Sequence, residues 1–313
     1  MKDKYRSLSR INDWSVILLV LSLAVAVIKA QSYRIWTHVF FRQVLTLSSG
    51  ILSEMLFLMI GRIDLSAGGT IAMLKQILCL LILIWKIPFF WTIVFLSIIT
   101  AAFGVVKGYM TSDGRSPYEV ITLGLGVLFS AISSGIYVWL LPKVNYIELK
   151  MGVENHVIFT VSVVLMTVVC LFMKRTTVGR GAQIFGSDPL LSQEMKMPIR
   201  KIIVAITLIG TLLLMDNMLC LTSRTDFLTQ VDASFMTYEI LTGGMIGVHV
   251  AGRYKNIVLG LIMGTMQIVL LNTIAQYYNL SAMLIFIFYG VIILISVFTT
   301  PSLSRSISIR LKK

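Results

Sequence analysis

The chain has 313 residues, of which 57% are hydrophobic and 13% charged, and its mean hydropathy is +0.88. Soluble domains carry roughly 25% charged residues, so a soluble globular protein is excluded. The formal charge of +13 does not indicate nucleic acid, because the basic residues mostly flank apolar runs, the arrangement that orients membrane helices.

Backbone polar groups in lipid must be satisfied internally, by helices or by a closed barrel. The alternating pattern of barrel strands is absent, so the expected fold is all-α, a polytopic helical membrane protein. A core of about 30 Å takes roughly 20 apolar residues per helix. In chain order the apolar runs predict spans at 14–30, 44–60, 68–86, 89–106, 118–140, 157–173, 202–221, 237–251, 256–275 and 282–299. Some of these ten are short, so two or three central ones are expected to be broken. The first run follows a basic start, as a secretory signal would, but Lys29-Ala30 makes a poor cleavage site. It reads as a retained first span.

With the N-terminus inside, nineteen of the 27 Lys and Arg residues fall in cytoplasmic segments and seven outside, Lys75 lying within a span. Both termini are therefore expected in the cytoplasm. No linker divides the chain, so 1–313 reads as one transmembrane domain with no soluble domain. Its largest hydrophilic loop covers 174–201.

The strongest local signal is Gly61-Arg62-Ile63-Asp64-Leu65-Ser66-Ala67-Gly68-Gly69. Asp64 and Ser66 are suited to capping the following helix, and the glycines to a tight turn and close helix approach. An ordinary inter-helix turn is the plain alternative. Gly243 to Lys255 is a second interruption, at a comparable place in the other half. Paired interruptions suggest two pseudo-repeat halves around a translocation path.

In the 174–201 loop, Asp188 is a good N-cap and Pro189 suits the first helical turn. Pro198 favours an end near Met197. The expected product is a helix of about two turns bearing Leu190, Leu191, Glu194, Met195 and Met197, with Arg180, Lys196, Arg200 and Lys201 around it. Such apolar knobs fit a partner's groove, or a lipid surface.

Glu54, Lys75, Asp216, Glu239, Gln267 and Asn272 fall within or near spans. Ionisable groups at that depth are costly unless paired or wetted. Glu54 and Lys75, on consecutive spans, are candidates for such a pair. Asp216 and Asn217 are equally read as lying near the outer interface. Asn272 is the preferred pathway residue, because a neutral amide can hydrogen-bond a polar solute. Cys79, Cys170 and Cys220 lie in or beside apolar runs and read as small buried hydrophobes. His38, His156 and His249 are isolated, so no metal and no other cofactor is expected. No clustered catalytic set indicates an enzyme, and no P-loop motif for ATP is present.

The Gly-x-Ile-Asp-Leu-Ser-x-Gly stretch resembles a helix junction of the permease subunits of ribose-type sugar ABC importers, relatives of the branched-chain amino-acid permeases. Three further stretches follow in the expected order: Val120-Ile121-Thr122-Leu123-Gly124 with Ser134-Gly135, Thr177-Val178-Gly179-Arg180 with Gly186-Ser187-Asp188, and Gly247 to Gly264 with Asn272. The likeness spans roughly 40–300. It departs where Gly-Gly-Asn becomes Gly186-Ser187-Asp188, and where C-terminal glycines give way to Val248, His249, Arg253, Tyr254 and Asn256. The chain thus resembles a divergent member.

The resemblance implies a transport subunit, not an enzyme, that forms the path for a small polar solute such as a monosaccharide. ATP hydrolysis would fall to a separate ABC ATPase, docked on Asp188, Pro189, Leu190, Leu191, Glu194 and Met195. Asp64, Ser66, Gly68, Gly247 and Asn272 would shape the path. The implied partners are that ATPase, an extracytoplasmic solute-binding protein, a second permease chain (identical or sibling) and membrane lipid. The implied location is the bacterial plasma (inner) membrane. The rivals are an ion-coupled secondary transporter using Glu54 or Asp216, and a divergent non-conducting partner subunit.

Overall fold

A computed structural model describes residues 38–112, 117–143, 155–223 and 229–299. The span expected at 14–30 and both termini lie outside these residues. The described residues form helices α1 (His38–Met59), α2 (Ala67–Cys79), α3 (Phe89–Ser112), α4 (Tyr118–Leu140), α5 (Asn155–Arg175), α6 (Thr177–Ser187), α7 (Pro189–Glu194), α8 (Ile199–Thr222), α9 (Ala233–Tyr254), α10 (Ile257–Tyr277) and α11 (Ala282–Thr299). A π turn, Leu80–Ile84, prolongs α2, and a 3-10 turn, Leu141–Lys143, prolongs α4. No strand occurs among the described residues. The protein is an all-α polytopic membrane protein.

Local chemistry sets many of the helix ends. Pro117 and Pro198 stand immediately before α4 and α8. Asn256 caps α10, its carboxamide oxygen accepting from the amides of Val258 and Leu259. The C-termini of α1, α7 and α10 share one device. Gly61, Lys196 and Asn279 adopt positive φ angles of 71°, 51° and 49°. Each is flanked by the paired backbone bonds that satisfy the last carbonyls of a helix, Gly61 to Leu58 and Arg62 to Phe57 in α1.

Among the described residues, six helices are long and apolar enough to cross a membrane: Ala67–Ile84, Phe89–Ser112, Tyr118–Lys143, His156–Arg175, Ile199–Thr222 and Ile257–Tyr277. Ala282–Val297 is a shorter apolar helix. The runs expected at 44–60 and 237–251 are helical but fall outside these six, being diluted by Arg42, Gln43 and Glu54 in α1 and by Glu239, His249 and Arg253 in α9.

Two compact units divide the chain: Leu45–Leu241, and Met1–Val44 with Thr242–Lys313. In the first, α2 and α8 form the interior, and α3, α4 and α5 are exposed along much of their length. Helix α8 packs along α3, and α2 along α4. The α2–α4 seam is a close backbone approach. A Cβ on Gly69 would sit 2.5 Å from the Gly126 carbonyl oxygen, and one on Gly126 would sit 2.7 Å from that of Leu65. In the second unit α10 approaches the C-terminal part of α9 in the same manner, Gly260 against the Gly247 carbonyl and Gly264 against that of Gly243.

This corrects the expected second interruption. Gly243 to Tyr254 is continuous helix, and the chain turns only at Lys255, with φ at 52°. The glycines that suggested a break instead provide a surface for α10.

Gly124 faces open space, with nothing within 4 Å of an added Cβ. Gly69→Ala or Gly126→Ala should therefore lower stability by about 1–3 kcal/mol through overpacking. Gly124→Ala should be neutral or stabilising through helix propensity. Thermal midpoints of the three variants in mild detergent check the contrast.

Candidate functional site

The break between α1 and α2 is organised around a buried carboxylate. Asp64 is fully buried, and its Oδ2 meets Lys107 Nζ of α3 at 2.5 Å. Its Oδ1 accepts from the Ser66 amide at 2.9 Å and from Ser66 Oγ at 2.7 Å. Lys107 also donates to Ser66 Oγ at 2.7 Å. The Asp64 amide donates to Glu54 Oε1 of α1 at 3.1 Å, so a second buried carboxylate supports the backbone of the first.

Aromatic rings close the cluster. Lys107 Nζ stands 5.0 Å from the centre of the Phe57 ring, and the Arg62 guanidinium 5.0 Å from that of Tyr118. Arg62 donates to the Thr111 carbonyl at 2.7 Å. From α4, Thr122 Oγ1 accepts from the Leu65 amide at 3.3 Å. The seven-residue interval between α1 and α2 is thus tied to α1, α3 and α4.

Several sequence expectations change here. Asp64 and Ser66 do not cap α2 through their side chains. Ser66 holds the cap position, yet its hydroxyl is engaged with Asp64 and Lys107. The Gly68 amide instead donates to Thr237 Oγ1 of α9 at 3.0 Å. A Cβ at Gly68 would collide with the Ala233 carbonyl. The cation of the cluster is Lys107 rather than Lys75, because Glu54 meets the Asp64 amide while Lys75 Nζ donates to Thr229 at 2.6 Å. In the Lys and Arg tally Lys107 counts with the cytoplasmic charges, just past the span expected at 89–106. Its place inside α3, 4% exposed, was signalled only by apolar residues continuing past 106.

The 174–201 segment forms two short helices. Thr176 Oγ1 caps α6 by accepting from the Gly179 amide at 3.0 Å. Asp188 caps α7 as its sequence predicts, accepting from the amides of Leu190 and Leu191 at 3.1 Å each, with Pro189 at the first position. The helix ends at Glu194, earlier than Met197, because Lys196 takes the positive-φ position ahead of Pro198. Leu190, Leu191 and Met195 are 61%, 44% and 56% exposed. Glu194, Lys196, Arg180, Arg200 and Lys201 are exposed around them. Ser192 is buried, so α7 has an inner and an outer face.

Small residues anchor this segment. Gly179 faces the Met173 backbone, Gly181 faces Met197 and Ile202, and Gly186 lies against the Met59 carbonyl and Ile60. The last contact joins the α6 C-terminus to the α1 C-terminus, beside the residues that lead to Asp64.

Elsewhere in the Leu45–Leu241 unit, Asp216 Oδ2 accepts from Ser162 Oγ at 2.5 Å, and Asn217 Nδ2 donates to the Thr46 carbonyl at 2.6 Å. Both residues are buried. In the other unit Asn272 Oδ1 accepts from the Tyr289 hydroxyl at 2.6 Å, and Gly247 serves the α9–α10 contact. Cys79, Cys170 and Cys220 are buried thiols. Among the described residues no group of three or more His, Cys, Asp or Glu residues gathers.

No protein-family model and no curated protein sequence matches the chain. A solved structure does match in fold. The chain is similar to PsaBC from Streptococcus pneumoniae, solved in complex with Fab. The TM-score is 0.51 and the sequences are 14% identical, over 93% of this chain and 100% of that one. At that identity the likeness concerns the fold.

Removing one partner of a buried ion pair strands the other, at about 3–5 kcal/mol, whereas replacing both is nearly neutral. Lys107→Met should therefore markedly lower the thermal midpoint, and Asp64→Asn combined with Lys107→Met should recover much of the loss. A double variant no more stable than Lys107→Met would contradict the assignment of the pair.

Proposed function

We propose that the chain is the transmembrane permease subunit of an ATP-driven importer, forming the path for a small polar solute, a monosaccharide in the first instance. The observation that carries this reading is α7. It is a capped helix with an outward face of Leu190, Leu191 and Met195, set on a glycine-lined support that abuts the end of α1. An exposed apolar surface rimmed by charges is a form that protein partners recognise. Here the partner would be an ABC-type ATPase, whose closing motion reaches Met59 and Ile60 through Gly186 and so arrives at the Asp64–Lys107 junction. The likeness in fold to PsaBC supports a permease in general.

On this reading Asp64, Ser66 and Gly68 hold the gate between α1 and α2 rather than touch solute. An extracytoplasmic binding protein delivers the solute, and a second permease chain completes the path. Asn272 and Gly247 belong to the moving helices of the other unit. Alternating access then consists of rearrangement of helical blocks about the junction.

A second reading, ion-coupled transport, draws on Asp216, a buried carboxylate beside Ser162. It requires uptake that persists without ATP and collapses with the ion gradient.

A Leu191→Asp, Met195→Asp double change should leave the protein folded in the membrane, because both side chains are exposed. It should reduce co-purification of an ATPase and uncouple ATP hydrolysis from uptake by tenfold or more, roughly the loss of one or two apolar contacts. Normal uptake by this variant would exclude α7 as the coupling element.

A further inference from the structure

The upper part of the α2–α4 seam holds polar groups that the junction does not use. Gln76 is fully buried, and neither its carboxamide oxygen nor its nitrogen has a hydrogen-bond partner. Ser133 of α4 is 2% exposed, and its hydroxyl is likewise unpartnered. Buried polar groups are ordinarily satisfied, and each exception calls for an explanation.

The two residues share a level. Gln76 lies seven positions after Gly69 and Ser133 seven after Gly126, and these glycines meet backbone to backbone. Seven residues are close to two turns, so both side chains return to the facing sides of their helices. Hydrogen bonds to a third segment fix the height independently. Lys75 Nζ donates to Thr229 Oγ1 at 2.6 Å, and Gln230 Nε2 donates to Ser134 Oγ at 3.1 Å. Neighbours in the chain, Thr229 and Gln230, thus bridge the residues adjacent to Gln76 and Ser133. Thr229 and Gln230 are themselves exposed, and Lys75 and Gln76 are not, so the pair forms a roof over a polar level.

Gln76 lies about 15 Å along α2 from Ser66 at the ordinary helical rise. That is half of a hydrocarbon core of about 30 Å, the depth at which transporters hold their solutes.

We propose that Gln76 and Ser133 form a solute subsite for neutral, hydroxyl-rich molecules, roofed by Thr229 and Gln230. The chemistry fits that class. A carboxamide presents a donor and an acceptor side by side, and a hydroxyl is both. Adjacent hydroxyls of a sugar or cyclitol can meet all three atoms without bringing a charge into the membrane. The proposal rests on the reading of the chain as a solute pathway, and on nothing about what powers it.

The test uses the full chain purified alone in mild detergent, with D-ribose, D-galactose and myo-inositol as probes and sodium glutamate as a charged control. Thermal midpoints are titrated against each probe for wild type, Gln76→Met and Ser133→Ala. Concentrated sugars stabilise proteins in general, so the quantity read is the saturable shift of wild type beyond that of each variant. Because no ATPase enters the assay, failure to recover an ATPase and failure of the subsite are separate results.

At least one neutral probe should give a saturable shift in wild type, weakened on the order of tenfold or more in Gln76→Met and less in Ser133→Ala. Without probe, Gln76→Met should match or exceed the wild-type midpoint, because it removes two unsatisfied buried atoms. A lower midpoint in Gln76→Met without probe would show that Gln76 is structural glue or holds a fixed water, and would overturn the proposal. So would the absence of a saturable wild-type shift with all three neutral probes, or a shift retained in full by both variants. Failure of Gln76→Met to fold counts as the same overturning result, and Ser133→Ala, a smaller change, repeats the comparison at the second residue.

Discussion

A lysine and an aspartate buried together hold the junction on which the Leu45–Leu241 unit turns. The interval between α1 and α2 has too few residues to make a core of its own and too many free backbone groups to be left in lipid. The Asp64–Lys107 pair resolves this by drawing α3 against the junction, while Ser66 Oγ donates to Asp64 and accepts from Lys107. Two ions taken out of water gain little net stability, even with good geometry. What they give is definition. A carboxylate that must meet an ammonium at one depth leaves α1, α2 and α3 little freedom to slide.

Around that point the packing is of backbone against backbone. Gly69 with Gly126, Gly186 with Met59, and Gly68 with Ala233 are contacts in which no side chain intervenes. Between lipid-embedded helices there is no hydrophobic drive for association, so close approach through small residues takes its place. The methionines and leucines of α1, α2 and α8 then fill the interior, and α3, α4 and α5 expose apolar faces suited to lipid or a neighbouring chain.

The sequence made local features legible and distant ones not. Asp188 and Pro189 were readable because a cap is decided within four residues, and the structure has that cap. Asp64 was recognisable as important, but its partner lies 43 residues away on another helix, and pairing it required a third dimension. Glu54 and Lys75 stand on consecutive spans, yet Glu54 meets the Asp64 amide and Lys75 meets Thr229. Glycines were ambiguous in kind. Those at Gly61 end a helix, whereas those from Gly243 to Gly247 lie within one and receive α10, and composition does not distinguish a stop from a landing surface. Asn256, noted as a departure from a glycine-rich pattern, proves to cap α10.

The π turn at Leu80–Ile84 has a consequence for how the chain can vary. Inserting one extra residue per turn shifts the angular phase of everything beyond it. Before the turn α2 is buried on nearly every side, and within it only Leu81 is. One membrane span is thereby split into two lengths with separate facings. The inner length is bound by its contacts with α4 and α8, and the outer length is free to drift in sequence without disturbing the register of Gly69 and Gln76 beneath it.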